Sequence, residues 1–222
     1  MTGVVDHQLR RLSTPRAAAL AGVLFAVIFG TALVLIRTAL PDGAAPGSQW
    51  ADGSRQLRTA AVLMPFAGIA FLWFIGVVRD GFGRYEDRFF ATVFFGSGLL
   101  FLAMMFVASG VGAGLETMSG HAAGSAAVAL GQSVLLSISK TYALRMAAVF
   151  MMSLATIWLR TGLMPRPLVW GTYALAVVLL AAAEVSMWLT LAFPAWVLVV
   201  SLLLLRRSLT PAPGAAPRPD TA

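Results

Sequence analysis

Apolar residues in this chain gather into long uncharged runs, and charges fall between the runs. Ala17 to Ile36 is 20 residues without Asp, Glu, Lys or Arg, Thr59 to Val78 is another 20, and Phe89 to Leu115 is 27. Thr141 to Leu159 adds 19, interrupted only by Arg145. A helix needs about 20 apolar residues to cross a hydrocarbon core of about 30 Å, so each run predicts a spanning helix. Thr14-Pro15 reads as an N-cap with proline at the first helical position.

The last run, Pro167 to Leu205, is 39 residues with one charge, Glu184. A single helix of that length would extend about 58 Å, so it divides into two. The turn is expected near Glu184 to Met187, with Trp188 at the interface and Pro194 kinking the sixth helix.

Thr117 to Ser139 carries no charge and could add a seventh span. Basic residues concentrate on the cytoplasmic side of membrane proteins, and that bias decides. With the N-terminus inside, six spans place 11 Lys and Arg inside and five outside, whereas seven spans give eight and eight. The expected fold is therefore an all-α bundle with six spans and both termini cytoplasmic. The expected spans are 17–38, 59–79, 89–111, 141–160, 167–184 and 187–207. An outer interfacial segment at 122–139, helical from Ala126, leads into the fourth span. Residues 1–16 form a basic cytoplasmic start, and the first span is read as retained rather than cleaved. The Pro/Ala-rich tail, 208–222, has too little apolar surface to fold and is expected to be disordered.

Composition fits this layout. The chain has 222 residues, 59% hydrophobic and 11% charged, against about 25% charged in soluble domains. The net charge of +7 comes from residues flanking apolar runs, so it reads as orientation in a bilayer and not as nucleic-acid binding. Cysteine is absent, which excludes disulfides, thiolate metal sites and cysteine nucleophiles.

Chemistry-bearing residues are sparse. His7 and His121 are the two histidines, and neither falls in a span. A haem held between intramembrane histidines and a serine–histidine membrane protease are thereby excluded. No catalytic, cofactor-binding or metal-ligating set is expected. Arg145 and Glu184 are the ionisable residues closest to span interiors, and such residues mark functional sites by default. Glu116 and His121 lie on the same expected outer side. The loop Arg79, Asp80, Arg84, Glu86, Asp87 and Arg88 is a candidate cytoplasmic docking loop, since arginine suits phosphate and carboxylate geometry. Gly22, Ala26 and Gly30 recur every four residues, as do Gly110 and Gly114. Such spacing lets helix backbones approach closely. Met104-Met105 and Met151-Met152 are read as apolar filler rather than copper ligands. Phe71, Trp73 and Phe74 are assigned to an interfacial aromatic band.

The segments Pro65 to Phe74, Glu86-Asp87-Arg88-Phe89-Phe90, Phe95 to Phe101 and Phe193 to Leu198 are together similar to a group of uncharacterised bacterial multi-pass membrane proteins. The resemblance implies a bacterial cytoplasmic-membrane location and carries no activity, cofactor or catalytic residue with it. The favoured function is a non-enzymatic membrane subunit or scaffold. Its expected partners are membrane lipid, a second copy or another membrane protein. A small permease or lipid-handling transporter, drawing on Pro65 and Pro194 within spans, and an enzyme with an outer-face site remain as alternatives.

Overall fold

The apolar runs form helices that outlast the runs themselves. The computed structural model describes residues 3–40, 50–80, 88–117, 126–181 and 186–209. Seven α-helices occur among them: α1 Gly3–Ala39, α2 Trp50–Asp80, α3 Arg88–Thr117, α4 Ala126–Leu136, α5 Ala143–Thr161, α6 Arg166–Ala181 and α7 Ala192–Leu209. A π-helical turn, Ser137–Tyr142, joins α4 to α5, and a 3₁₀ turn, Met187–Leu191, leads into α7. No strand is present among the described residues.

Five stretches are long and apolar enough to cross a membrane: Ala19–Ala39, Arg55–Arg79, Phe89–Thr117, Ala126–Thr161 and Trp188–Arg207. Arg166–Ala181 is a shorter apolar helix. Its 16 residues rise about 24 Å.

Several boundaries differ from the sequence reading. Helix α1 runs through Thr14-Pro15 from Gly3 rather than starting there. Helix α2 begins at Trp50, well before Thr59. Pro65 lies inside α2 and removes the donor that Ala61's carbonyl would otherwise receive. Pro194 does not kink a helix interior. It sits in the first turn of α7, at the junction with the preceding 3₁₀ turn, where proline's fixed φ suits the start of a helix. Of the expected 184–187 turn, residues 184 and 185 lie outside the described residues, as do 118–125 and the tail beyond Leu209, and Ser186 is extended and caps the 3₁₀ turn.

The segment from Ala126 and the fourth span form one run of 36 residues, Ala126–Thr161. Val128, Gln132, Leu135 and Ser139 are its buried positions through the π turn. They repeat at the three-to-four spacing that puts one stripe against a neighbour. The stripe packs on α3, where Leu135 and Leu115 close over Gly112 and Gly131.

Around the bundle the helices follow the order α6, α5, α3, α2, α1, α7. The axis is filled by aromatic rings. Phe25 of α1, Phe71 of α2, Phe101 of α3, Phe150 of α5 and Phe193 of α7 are each at most 2% exposed. Phe71 is the hub, with ring centroids 4.6 Å from Phe25, 5.5 Å from Phe101, 5.4 Å from Phe150 and 5.9 Å from Phe193. Trp196 and Trp158 extend the cluster toward α5, with centroids 6.1 Å apart. Phe71 and Phe74 are thus core residues rather than an interfacial band, and Trp73 alone of the three faces outward, 69% exposed. Helical spacing explains the split, because 71 and 74 share a face that 73 does not.

The outward faces of the helices carry many large apolar side chains. Leu20, Leu24, Phe66, Ile69, Val107 and Trp170 are all more than half exposed. A water-soluble monomer rarely carries so continuous an apolar surface.

Candidate functional site

Contacts between helix termini define two ends of the bundle. At the first, Arg79 lies 5.5 Å from the Phe95 ring and Arg160 4.7 Å from the Phe90 ring. The Arg207 guanidinium donates to the Leu163 carbonyl there. The end of α2, start of α3, turn between α5 and α6 and end of α7 therefore lie together. At the second end, Arg37 donates to Ser139 and Arg58 pairs with Glu116.

Arg37 is the most informative polar residue of the second end. It is 1% exposed, and it is among the largest fully buried side chains. Its Nη2 donates to Ser139 Oγ at 3.4 Å, while Ser139 donates to the Leu136 carbonyl at 3.5 Å. Arg37 lies four residues beyond Leu33 and eight beyond Phe29, both in the core, so the helical repeat carries it inward. In the sequence the uncharged run ends at Ile36, which puts Arg37 at the edge of the first apolar run. The signal against that was available, because Thr38-Ala39-Leu40 prolongs the apolar pattern past it. An arginine folded into the wall of a bundle is a costly placement, and the π turn presents one acceptor to it, Ser139. π turns occur frequently at functional positions.

The other candidates are distributed rather than gathered. Glu116 is 3.9 Å from Arg58, with side chains 30% and 72% exposed. Such a pair is worth about 0–1 kcal/mol. Arg145 is half-buried in the first turn of α5, just beyond the π turn. His121 and Glu184 lie outside the described residues, as do Arg84, Glu86 and Asp87 of the candidate docking loop. Asp80 and Arg88 are the terminal residues of α2 and α3. Arg79 is exposed and covers Phe95.

The small residues take separate roles. Gly22 is closed inside the molecule: an added Cβ would strike Ser201 Oγ and come 2.8 Å from Phe74. Ala26 is buried, whereas Gly30, Gly110 and Gly114 have open space where a Cβ would stand.

Core hydroxyls are mostly committed to their own helices. Ser97 donates to the Val93 carbonyl at 2.6 Å, Ser153 to Val149 at 2.9 Å and Thr172 to Leu168 at 2.8 Å. Thr172 also accepts from Trp196 Nε1 at 3.0 Å, tying α6 to α7. Thr156 and Tyr173 share a hydrogen bond of 2.6 Å between α5 and α6. These bonds satisfy buried polar groups and set no nucleophile against a base. Among the described residues, no group of three or more His, Asp or Glu could hold a metal ion.

Fold and surface together define the class: a helical, membrane-embedded protein with an aromatic-filled axis. No family model, curated protein or solved structure matches the chain.

Proposed function

We propose that the protein is a non-enzymatic subunit or scaffold of a bacterial cytoplasmic membrane. It crosses six times and holds both termini on the cytoplasmic side. The reading rests on the axis of the bundle, where five helices each contribute a phenylalanine to one packed cluster. A molecule filled along its axis in this way leaves recognition to its sides and to the loop from Arg79 to Arg88. The first end is the cytoplasmic one, since Arg79, Arg160, Arg166, Arg206 and Arg207 all belong to it and basic residues concentrate inside. Burial of Arg37 strengthens the bias, because one of the five basic residues counted outside is enclosed by protein.

The test is reciprocal co-purification in mild detergent. A defined membrane protein is expected at fixed stoichiometry, released when Arg84, Glu86, Asp87 and Arg88 are replaced by serine. A chain that purifies alone and mediates solute flux across vesicles would overturn the reading in favour of transport. Pro65 within α2 is the feature that favours that second reading, since interrupted helices line transport pathways.

A further inference from the structure

Nearly half of the chain is almost free of acid. From Thr117 to Arg218 the one acidic residue is Glu184. Arg160, Arg166, Arg206 and Arg207, which α5, α6 and α7 bring to the first end, therefore share those helices with no carboxylate. The acids of that end, Asp80, Glu86 and Asp87, belong to the segment between α2 and α3, which carries its own Arg79, Arg84 and Arg88. Arg160 leans toward that segment, over the Phe90 ring. Arg166 and Arg207 stand on the opposite side of the α5–α6 turn.

The backbone under these two cations is already ordered. Gly162, at φ 66°, ends α5 and donates to the Trp158 carbonyl at 2.9 Å. Met164 is buried and plugs the turn into the core. Pro165 and Pro167 fix φ on either side of Arg166, and the Pro165 carbonyl accepts from the Leu168 and Val169 amides. Arg207 crosses from α7 to donate to the Leu163 carbonyl, three residues along the turn from Arg166. Both arginines are exposed. At the second end, by contrast, exposed Arg58 already faces the Glu116 carboxylate.

What adjoins the arginines selects the anion. Leu159, Leu163 and Trp170 are all more than two-fifths exposed. Trp170 follows Arg166 by four residues on the same face of α6, and indoles settle at headgroup depth. Arg166 is about 6 Å farther out, at the level of lipid phosphates, whose oxygens match the guanidinium fork. A ligand that meets both surfaces has an anionic phosphate head and a hydrocarbon tail. An acidic protein segment would match the cations and leave the apolar flank uncovered.

We propose that the α5–α6 turn and the end of α7 bind an anionic phospholipid, its phosphate between Arg166 and Arg207 and its chains along the outward face of α6. The inference rests on the first end lying at a bilayer surface and is independent of the subunit role. The site reads net charge, so phosphatidylglycerol is selected over zwitterionic phosphatidylethanolamine.

The full chain, purified in mild detergent, is titrated separately with the palmitoyl-oleoyl forms of these two lipids, and bound lipid is counted by native mass spectrometry. Each arginine beside an anionic headgroup is worth about fivefold in affinity. The pair is therefore expected to favour phosphatidylglycerol by at least about tenfold, equivalent to about 1.4 kcal/mol. Arg166→Gln and Arg207→Gln should each reduce phosphatidylglycerol binding about fivefold and leave phosphatidylethanolamine binding as it was. Arg58→Gln, at the second end, should change neither. Arg166 is exposed, so its replacement leaves the turn packed and keeps the test readable should Arg207→Gln loosen α7. Excess inorganic phosphate is expected to leave the lipid bound, because the contacts to its chains remain. Displacement by phosphate would assign the site to a free anion and overturn the proposal. Equal binding of the two lipids, or equal losses from Arg58→Gln and Arg166→Gln, would overturn it too. None of these outcomes bears on the co-purification test, which reads a protein partner.

Discussion

At the scale of single residues, close packing in the bundle depends on particular small or polar side chains. Gly22 is the tightest case, with Ser201 and Phe74 closing on the position a Cβ would take. Gly22→Ala is expected to destabilise the protein by about 1–3 kcal/mol, the usual cost of overpacking. Ser201 Oγ is buried and makes no hydrogen bond to a described residue. Adding Ser201→Ala to the glycine variant removes that hydroxyl and should recover part of the loss, read from unfolding midpoints in detergent. Arg37→Ala empties a fully buried position, and a loss of about 2–5 kcal/mol is expected, the usual range for truncating a large buried side chain. Ser139→Ala should cost nearer 1 kcal/mol, since its bond to Arg37 is long. A ratio near unity between the two losses, from the same unfolding assay, would show that Ser139 carries most of what Arg37 contributes.

At the scale of helices, uncharged length revealed which segments are helical and left their ends and partners open. The runs at Ala17, Thr59, Phe89 and Thr141 all lie in helices. Hydropathy could not show that α1 starts at Gly3 or that Ala126 to Thr161 is one run, because those extensions are polar or weakly apolar. It also assigned Arg37, Phe71 and Phe74 by their order along the chain, whereas angular position on the helix decides burial. The candidate residues were legible as types, but not as neighbours: Arg58 with Glu116 and Arg37 with Ser139 are contacts between distant segments. The absence of cysteine makes the arrangement of ends directly measurable. Single cysteines replacing Leu163 and Arg207 are expected to react with a membrane-impermeant maleimide from one side of sealed vesicles. Those replacing Arg58 and Glu116 should react from the other. Labelling of residues 163 and 58 from the same side would contradict the two-ended arrangement.

At the scale of the whole molecule, packing has to supply what water supplies to a soluble core. Lipid tails are as apolar as leucine, so helix association draws on contact quality. The Phe71 hub concentrates that contact, and aromatic pairs contribute about 0.5–1.5 kcal/mol each beyond area. Phe71→Ala is therefore expected to cost about 3–5 kcal/mol, whereas the outward Trp73→Ala on the same helix should change stability by less than about 1 kcal/mol. Both are measurable by denaturing-detergent titration. Comparable losses for the two would show that stability is spread over the helix surfaces instead of held at the axis.

The hub also sets an order of events during synthesis. Phe193 and Trp196 arrive on α7, synthesised after the four helices that supply Phe25, Phe71, Phe101 and Phe150. Until then the nascent protein carries a hole where its final wedge belongs. A chain stopped after Ser186 should insert yet stay loose, and pulse-chase measurement should find it cleared by membrane proteases well before the finished one.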